Sequence, residues 1–306
     1  YFLDLITLDM AGRPQLSICI PVFKRKEILS RTLRSIFDEI KDIPENIVEV
    51  VLTDNDAERE AFESFKPYEN LSNWHYHSVE VEGFLNSIQA LNHGTGYFLK
   101  LHNSQFVWNK GSVERVLHVT NTMVNSFIFW GNGQLMAKPF EEFSNFDSFI
   151  RKVGYFITWS NGFMIRKEDF DIDIDFNPIF PHTSLLLTQV HAKDYCIENT
   201  NLWRMQRVSK KGGFHFIKEF ESFLDDVEME YENGVISFET LRSLKRELRL
   251  YLYPKMFLRT KLLGLENYDF SHYCEYFRSI YGVFWPVLVI VYSVISLIRV
   301  ILIRLH

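Results

Sequence analysis

The feature that most constrains the fold of this chain is a strand–helix–strand pattern within residues 15–53. Residues 15–23 form a nearly continuous apolar run with Pro21 near its end, and a second apolar run covers residues 47–53. Between them, apolar residues at helical spacing predict an amphipathic helix that stops at Pro44. Apolar strands joined by a helix are typical of a right-handed βαβ unit with buried parallel strands. We therefore predict an α/β fold.

Further strand patterns extend this predicted sheet. Residues 74–81 alternate like a strand, and residues 83–94 have the spacing of a helix. Residues 94–106 combine a short aromatic and aliphatic strand with a polar tip at residues 102–105. Open α/β folds bind ligands at the carboxyl ends of their parallel strands. We therefore expect the site at the edge where Asp54 and the polar tip would meet.

Composition limits the function classes. The net charge of −6 argues against nucleic acid as the main partner, because phosphate binding needs a concentrated basic surface. Cys19, Cys196 and Cys274 are far apart and include no Cys-x-x-Cys pair, so we predict neither a disulfide framework nor a thiolate zinc site, and a reducing compartment fits. Asp4 and Asp9 interrupt the first residues without a basic segment before them, so we expect no signal peptide there.

The last third of the chain has a different pattern. Between residues 242 and 261, basic residues alternate with aliphatic and aromatic ones, and Glu247 is the single acid. Residues 283–298 carry no charge, and the apolar run resumes after Arg299. A basic helix with an apolar face is typical of an anionic membrane surface, which predicts membrane association. For the apolar run, a membrane span with a snorkelling Arg299, an embedded anchor and a buried core helix stay open.

Three segments together resemble the GT-A glycosyltransferases of family 2. They are residues 16–25 (LSICIPVFKR), residues 50–56 (VVLTDND), and residues 83–101, which run from Gly-Phe-Leu-Asn to Phe-Leu-Lys-Leu. The family's pattern is a strand ending in Pro-x-Tyr-Asn, a strand ending in Asp-Asp or Asp-Asn, an Asn-bearing helix and a strand ending in Asp-x-Asp. The resemblance is good over residues 15–106 and loose over the next hundred.

The resemblance implies a GT-A (Rossmann-like) mixed sheet flanked by helices, followed by a C-terminal helical membrane-associating region. We expect the GT-A domain at residues 15–230, with basic amphipathic helices and a hydrophobic anchor at residues 235–306.

The resemblance also implies a nucleotide-sugar site. In it, Asp54 would bind the base or ribose, and Asn86 would lie near the ribose or diphosphate. A turn or helix-capping role is the alternative for Asp54, and Lys24 departs from the family's usual Asn. The residues that match the donor site are Pro21, Val22, Phe23, Lys24, Glu27, Asp54, Asn55, Asn86, Leu101, His102, Asn103 and Ser104.

The family's metal-binding acids are missing, since Leu-His-Asn-Ser-Gln at residues 101–105 stands where Leu-Asp-x-Asp-Asp is expected. A divalent cation, Mg²⁺ or Mn²⁺, would offset the diphosphate charge, but neutral Asn103 and Ser104 are poor ligands for it and imidazole prefers softer metals. Three arrangements stay open. His102, with Lys100 or Lys24, supplies the charge without metal; a cation is held weakly by His102 and the diphosphate; or the site binds without turnover. We assign no metal ligands.

The acceptor side follows from the same resemblance. Residues 155–166 resemble the family's acceptor-side strand, where Trp159 would stack on a sugar or, alternatively, belong to the core. An inverting transferase needs a general base near the start of the next helix. His182 occupies that place, and its ordinary pKa of about 6.5 suits the role. Asp175 is the second candidate base, and purely local hydrogen bonding is the alternative for His182.

A basic, glycine-containing loop follows at residues 209–215. In the family's pattern such a loop folds over the diphosphate, so Lys210, Lys211 and His215 would provide positive charge there. A solvated loop is the alternative.

These residues and the resemblance predict an inverting glycosyltransferase. It would move a sugar from a nucleotide-sugar donor to a lipid-linked glycan at the cytoplasmic face of the cell membrane, as in bacterial polysaccharide or O-antigen assembly. The alternative is a non-catalytic GT-A homologue that acts as a membrane-bound nucleotide- or glycan-binding subunit. We do not expect nucleic acid as a partner.

Overall fold

The computed structural model describes residues 12–207 and 212–305. Its strands are β1 (Leu16–Val22), β2 (Val48–Asp54), β3 (Trp74–Ser78), β4 (Phe98–Leu101), β5 (Phe106–Trp108), β6 (Ser126–Trp130), β7 (Phe140–Phe143), β8 (Met164–Arg166), β9 (Asp194–Glu198), β10 (Trp203–Met205), β11 (Gly212–His215) and β12 (Asn267–Asp269). Its α-helices are α1 (Lys26–Ile40), α2 (Phe62–Phe65), α3 (Asn86–His93), α4 (Ser112–Thr122), α5 (Phe146–Val153), α6 (Pro181–Leu187), α7 (Phe216–Glu232), α8 (Phe238–Glu247), α9 (Tyr253–Phe257), α10 (Tyr273–Tyr281) and α11 (Trp285–Leu305).

The described chain forms two compact units. The first contains residues 12–132, 137–145 and 157–206, and the second contains residues 133–136, 146–156, 207 and 212–305. Helix α7 belongs to the second unit, whereas the domain limits expected from the sequence, 15–230 and 235–306, place it with the sheet.

The central sheet of the first unit has the strand order β3-β2-β1-β4-β8. The first four strands are parallel, and β8 is antiparallel to β4. Buried apolar side chains such as Ile18, Val50 and Leu99 fill these strands, as expected where helices cover both faces of a parallel sheet. The predicted α/β class, a mixed sheet flanked by helices, is confirmed.

Two glycines set the start of β4 against β1. A Cβ atom on Gly96 would lie 2.6 Å from Ser17 Oγ and 2.8 Å from the Ser17 backbone nitrogen, and one on Gly94 would lie 2.8 Å from the Leu99 side chain. The Gly96 amide donates to Ser17 Oγ at 2.7 Å and to Glu49 Oε1 at 3.1 Å. This close approach fixes the register of β4, and with it the position of the polar tip.

A second, three-stranded sheet has the order β6-β9-β7, and β5 pairs with β10 in an antiparallel ribbon. The prediction of one strand over residues 155–166 is wrong, because only Met164–Arg166 pairs as a strand. Residues 154–158 and 160–162 form 3-10 turns instead. Gly154 has φ +63°, which strand geometry excludes, and the ring of Phe129 fills the space beside Gly162.

The second unit is helical and aromatic. Two π-helical turns, Leu248–Leu252 and Leu258–Leu262, join α8 and α9 into helical chain over residues 238–262, which contains the predicted basic helix. Tyr253 is fully buried, and its hydroxyl donates to Glu221 Oε1 at 2.8 Å.

Among the described residues, one helical stretch is long and apolar enough to cross a membrane, with a mean hydropathy of 1.8. It is Tyr273–Ser296, which runs from α10 into α11. Only 17 % of its most apolar window is buried, and Val283 and Phe284 are 76 % and 71 % exposed. This exposure does not fit the alternative of a core helix within the chain.

Candidate active site

The candidate site lies at the carboxyl edge of the central sheet. The pairing register sets Val22 of β1 beside Asp54 of β2, and Asp54 beside Ser78 of β3. On the other side, Cys19 pairs with Leu101, and its carbonyl accepts the His102 amide at 2.8 Å. The ends of β1, β2 and β4, which carry several residues expected in the donor site, are therefore neighbours at one edge of the sheet.

Asp54 is fully buried at this edge. Its Oδ2 accepts a hydrogen bond from the Tyr76 hydroxyl at 2.7 Å, and its Oδ1 accepts from the Asp56 amide at 2.9 Å. Burial, together with the hydrogen bond to Asp54, raises the pKa of Tyr76, so this hydroxyl keeps its proton. Lys24 Nζ lies 4.0 Å from Asp56 Oδ1. The carboxylates of Asp54 and Asp56 thus lie at this edge, and both contact other side chains or backbone groups of the chain.

Asn86, at the start of α3, is hydrogen-bonded to the ends of β1 and β2 and to the loop after β2. Its amide nitrogen donates to the carbonyls of Val22 and Thr53 at 2.9 and 3.0 Å and to Asn55 Oδ1 at 3.1 Å. Its own Oδ1 is buried and has no hydrogen-bond partner among the described residues. In this arrangement Asn86 holds the ends of β1 and β2 together, and its amide protons are not available to a diphosphate.

The loop after β1 carries the exposed part of the site. Phe23 is 57 % exposed, and the Lys24 ammonium lies 5.6 Å from the centroid of its ring. Lys24 and Arg25 both have positive φ values, 58° and 63°, which turn the chain sharply into α1. Glu27 is exposed in the first turn of that helix, and Pro21 is half-buried at the strand end. An exposed aromatic ring beside the strand ends is suited to stacking on a planar base.

The polar tip of β4 folds inward. His102 is fully buried, and its Nε2–H donates to the Phe106 carbonyl at 2.9 Å. The indole rings of Trp108 and Trp203 lie 5.1 and 6.1 Å from the imidazole. Burial, with a smaller contribution from Lys100, lowers the pKa of His102 to about 3. A neutral, enclosed imidazole does not fit the role of a positive charge facing a diphosphate.

Lys100 is also fully buried, on the strand itself. Its ammonium donates to the carbonyls of Leu101 at 2.7 Å and Asn161 at 2.5 Å, and lies 4.7 Å from the centroid of the Trp203 ring. Burial lowers its pKa well below the ordinary lysine value. Lys100 therefore braces the strand end and does not face the open edge.

The rest of the tip is a tight turn. Asn103 Oδ1 accepts the Gln105 amide at 2.9 Å, and the Asn103 amide donates to Asn161 Oδ1 at 2.8 Å. The Ser104 carbonyl accepts from Thr32 Oγ1 at 2.7 Å. Asn103 already uses a side-chain lone pair, and uncharged amide and hydroxyl oxygens bind Mg²⁺ or Mn²⁺ poorly without carboxylates. These residues do not fit a divalent cation, and no group of three His, Cys, Asp or Glu residues could hold one within the described ranges.

The two candidate bases differ in exposure. His182 lies in the first turn of α6, is 4 % exposed, and bonds to the backbone of Thr158. Its Nε2 is buried without a partner in the described parts of the chain, and burial lowers the pKa of His182 to about 4. Asp175 is exposed in the preceding loop. Trp159 is half-buried, with its ring edge-on to Phe106 at 5.9 Å.

Of the predicted diphosphate loop, residues 212–215 are described and belong to the second unit. Lys210 and Lys211 lie outside the described residues. His215 caps α7, since its Nδ1 accepts the Lys218 amide at 3.1 Å and its Nε2 donates to the Ser271 carbonyl at 3.2 Å.

Sequence reasoning missed two residues that shape the site, Tyr76 and Asn161. Tyr76 alternates with His75 and His77 on β3, so the strand pattern already placed it on a different face from the histidines. Asn161 reaches the β4 tip from 58 residues away and gives no local signal.

Comparisons with known proteins bear on the fold. No protein-family model and no curated protein matches the sequence. A crystal structure of S. aureus TarS 1–349 matches with a TM-score of 0.60 at 14 % identity, over 92 % of this chain and 88 % of that one. The complex of that fragment with UDP-GlcNAc matches with a TM-score of 0.58 at 13 % identity, over 92 % and 89 %.

The longer TarS structure matches with a TM-score of 0.58 at 15 % identity over 82 % of this chain, which spans 46 % of the length of that protein. At these identities the likeness shows the fold alone. The chain has the GT-A fold that TarS has.

Proposed function

We propose that the chain is a family 2 type glycosyltransferase that transfers a sugar, with inversion, from a nucleotide-sugar donor to a lipid-linked glycan. The observation that carries the proposal is the exposed Phe23 ring beside the buried Asp54 carboxylate, at the sheet edge where α/β folds bind ligands. TarS, which shares the fold, has crystal structures in complex with UDP and with UDP-GlcNAc.

In this proposal the nucleotide base stacks on Phe23, beside Pro21, Val22 and the end of β2. Asp54 is fully buried, and the Tyr76 hydroxyl donates a hydrogen bond to its Oδ2. Direct contact with Asp54 therefore requires Tyr76 to turn aside, whereas Asn55 is half-buried and closer to solvent.

The reaction is one displacement at the anomeric carbon. The acceptor hydroxyl oxygen bonds to that carbon while the bond to the diphosphate oxygen breaks, and the hydroxyl proton passes to a base. His182 Nε2 is neutral and unprotonated at pH 7, so it has a lone pair for that proton, and Asp175 is the second candidate. Because the β4 tip does not fit a divalent cation, no step is assigned to one; Lys24 provides positive charge at the edge.

The proposed location is the cytoplasmic face of the cell membrane, in polysaccharide or O-antigen assembly. It is supported by the basic helical chain at residues 238–262 and by the exposed apolar surface of Tyr273–Ser296.

The sugar acceptor would stack on Trp159.

A second candidate function is a non-catalytic GT-A homologue that binds a nucleotide or glycan. The enclosed, uncharged His102 favours it, because the strand end that should face the diphosphate offers it no charge.

Binding and turnover, measured separately, test both candidates. Calorimetry with a panel of uridine, guanosine, cytidine and thymidine diphosphate sugars should identify one binding donor. Phe23→Ala should weaken that binding by about 1–3 kcal/mol, or roughly 5- to 150-fold, which is the range for base–aromatic stacking. Met229→Ala removes an exposed apolar side chain of similar accessibility, 53 %, in the second unit and should leave binding unchanged.

Transfer is then followed with and without EDTA. Turnover that survives EDTA supports the metal-independent transferase. Donor binding without hydrolysis or transfer identifies the non-catalytic homologue, and failure to bind any nucleotide sugar refutes both.

A further inference from the structure

A groove in the second unit combines cationic and apolar walls. It has a volume of about 610 Å³ and lies among α8, the π-helical turn after it, α10 and α11. Four cations line it, namely Arg242, Lys245, Arg246 and Arg249. The Tyr281 hydroxyl donates to the Arg249 carbonyl, which joins the cationic wall to the opposite one.

Most of this positive charge is uncompensated. Lys245 is paired with Glu228, but no carboxylate in the described ranges forms an ion pair with Arg242, Arg246 or Arg249. The Nε of Arg249 is buried and lacks a hydrogen-bond partner in the part of the chain that the structure describes. Three guanidinium groups on one groove wall therefore form a concentrated site for an anion.

The opposite wall is apolar and continues onto an exposed apolar helix. Ile280, Leu288 and Tyr292 line the groove. On α11, Val287 and Ile290 are 62 % and 57 % exposed. A free inorganic anion would gain nothing from these side chains, whereas an amphiphile would bury its chains against them.

We propose that this groove binds the headgroup phosphate of one anionic membrane phospholipid. The guanidinium groups of Arg242, Arg246 and Arg249 surround the phosphate with paired N–H donors, whose fork matches phosphate oxygens. The acyl chains follow the apolar wall towards α11. The inference goes beyond the proposed transfer reaction; it rests on the proposed membrane location, and all its residues belong to the second unit.

The test uses the full chain and phosphatidylglycerol. Flotation with phosphatidylcholine vesicles containing about 30 % phosphatidylglycerol should recover the chain, and pure phosphatidylcholine should recover much less. The variant Arg242→Gln/Arg246→Gln/Arg249→Gln should lower the partition coefficient by about 100-fold, at roughly fivefold for each cation. The matched control, Arg31→Gln/Lys110→Gln/Lys193→Gln, removes three exposed cations of the first unit and should keep wild-type binding.

The number of phosphatidylglycerol molecules bound per chain distinguishes a specific lipid site from general electrostatic attraction to an anionic membrane. Native mass spectrometry of the chain in non-ionic detergent should show one retained phosphatidylglycerol in the wild type and none in the groove variant. Leu288→Ala, which keeps every cation, should weaken retention several-fold. Circular dichroism and thermal unfolding confirm that each variant is folded.

The proposal is overturned by equal flotation of the groove and control variants, or by several lipids retained without saturation. It is also overturned if glycerol phosphate displaces the lipid at equal concentration, which indicates a free-phosphate site, or if a polyprenyl phosphate is retained in preference to phosphatidylglycerol.

Discussion

The protonation of His102 should make the stability of the fold depend on pH. The imidazole is enclosed by Trp108 and Trp203, and its pKa is lowered to about 3. In the unfolded chain its pKa returns to about 6.5. Above pH 6.5 both states are neutral and the group contributes nothing; below it, the unfolded state binds the proton that the folded state excludes. Stability is therefore lost as pH falls from about 6.5 towards 3.

The size of this loss follows from the two pKa values. At about 1.36 kcal/mol per pH unit, lowering the pH from about 7.5 to about 4.5 removes about 2–3 kcal/mol through His102. His182, with a pKa of about 4 from burial, should remove about 2–3 kcal/mol more over the same interval. Together they amount to ~5 kcal/mol, which is comparable to the whole stability of many domains.

Urea unfolding between these pH values measures the loss. His102→Gln keeps an N–H donor for the Phe106 carbonyl but does not titrate, so it should lose about 2–3 kcal/mol less than the wild type over the interval. His182→Gln is the parallel variant, and the double variant should lose ~5 kcal/mol less if the two groups act independently. If His102→Gln follows the same pH dependence as the wild type, His102 is protonated in the folded chain. The account of a neutral β4 tip then fails.

Two further predictions concern the frame of the site. Gly96→Ala should destabilise the chain by about 1–3 kcal/mol, because its Cβ would meet the Ser17 backbone nitrogen at 2.8 Å; an unchanged urea midpoint contradicts this. Tyr76→Phe removes the 2.7 Å donor to Asp54 and should cost about 1–3 kcal/mol of unfolding free energy. Tyr68→Phe is the matched control, since the Tyr68 ring stacks on Trp74 at 4.3 Å and should keep that packing. If both tyrosine variants lose the same unfolding free energy, the hydrogen bond from Tyr76 to Asp54 does not stabilise the fold.

The strands that carry the site could be predicted because their signal is local. Apolar runs at residues 15–23 and 47–53 leave few alternatives to buried parallel strands, and a right-handed crossover then places their carboxyl ends at one edge. The placement of Phe23 and Asp54 at that edge follows from this topology.

The direction and burial of the side chains could not be predicted in the same way. His102 looks like part of a polar tip, but it is enclosed by Trp203, which lies about a hundred residues further along the chain. The prediction of one strand over residues 155–166 is wrong for a similar reason, since the ring of Phe129, on β6, lies against Gly162. In both cases, packing against residues that are distant in the sequence determines the structure.

These placements narrow where a diphosphate could find positive charge in the first unit. Lys100 and His102, which the sequence offers for the task, both have their pKa lowered by burial and are enclosed. Lys24 is different, because its side chain is 45 % exposed and lies 4.0 Å from the nearly buried Asp56. Its ammonium is therefore open to solvent, unlike the enclosed side chains of Lys100 and His102. In the proposed transferase, Lys24 is therefore the side chain that would supply positive charge to the donor diphosphate at this edge of the sheet.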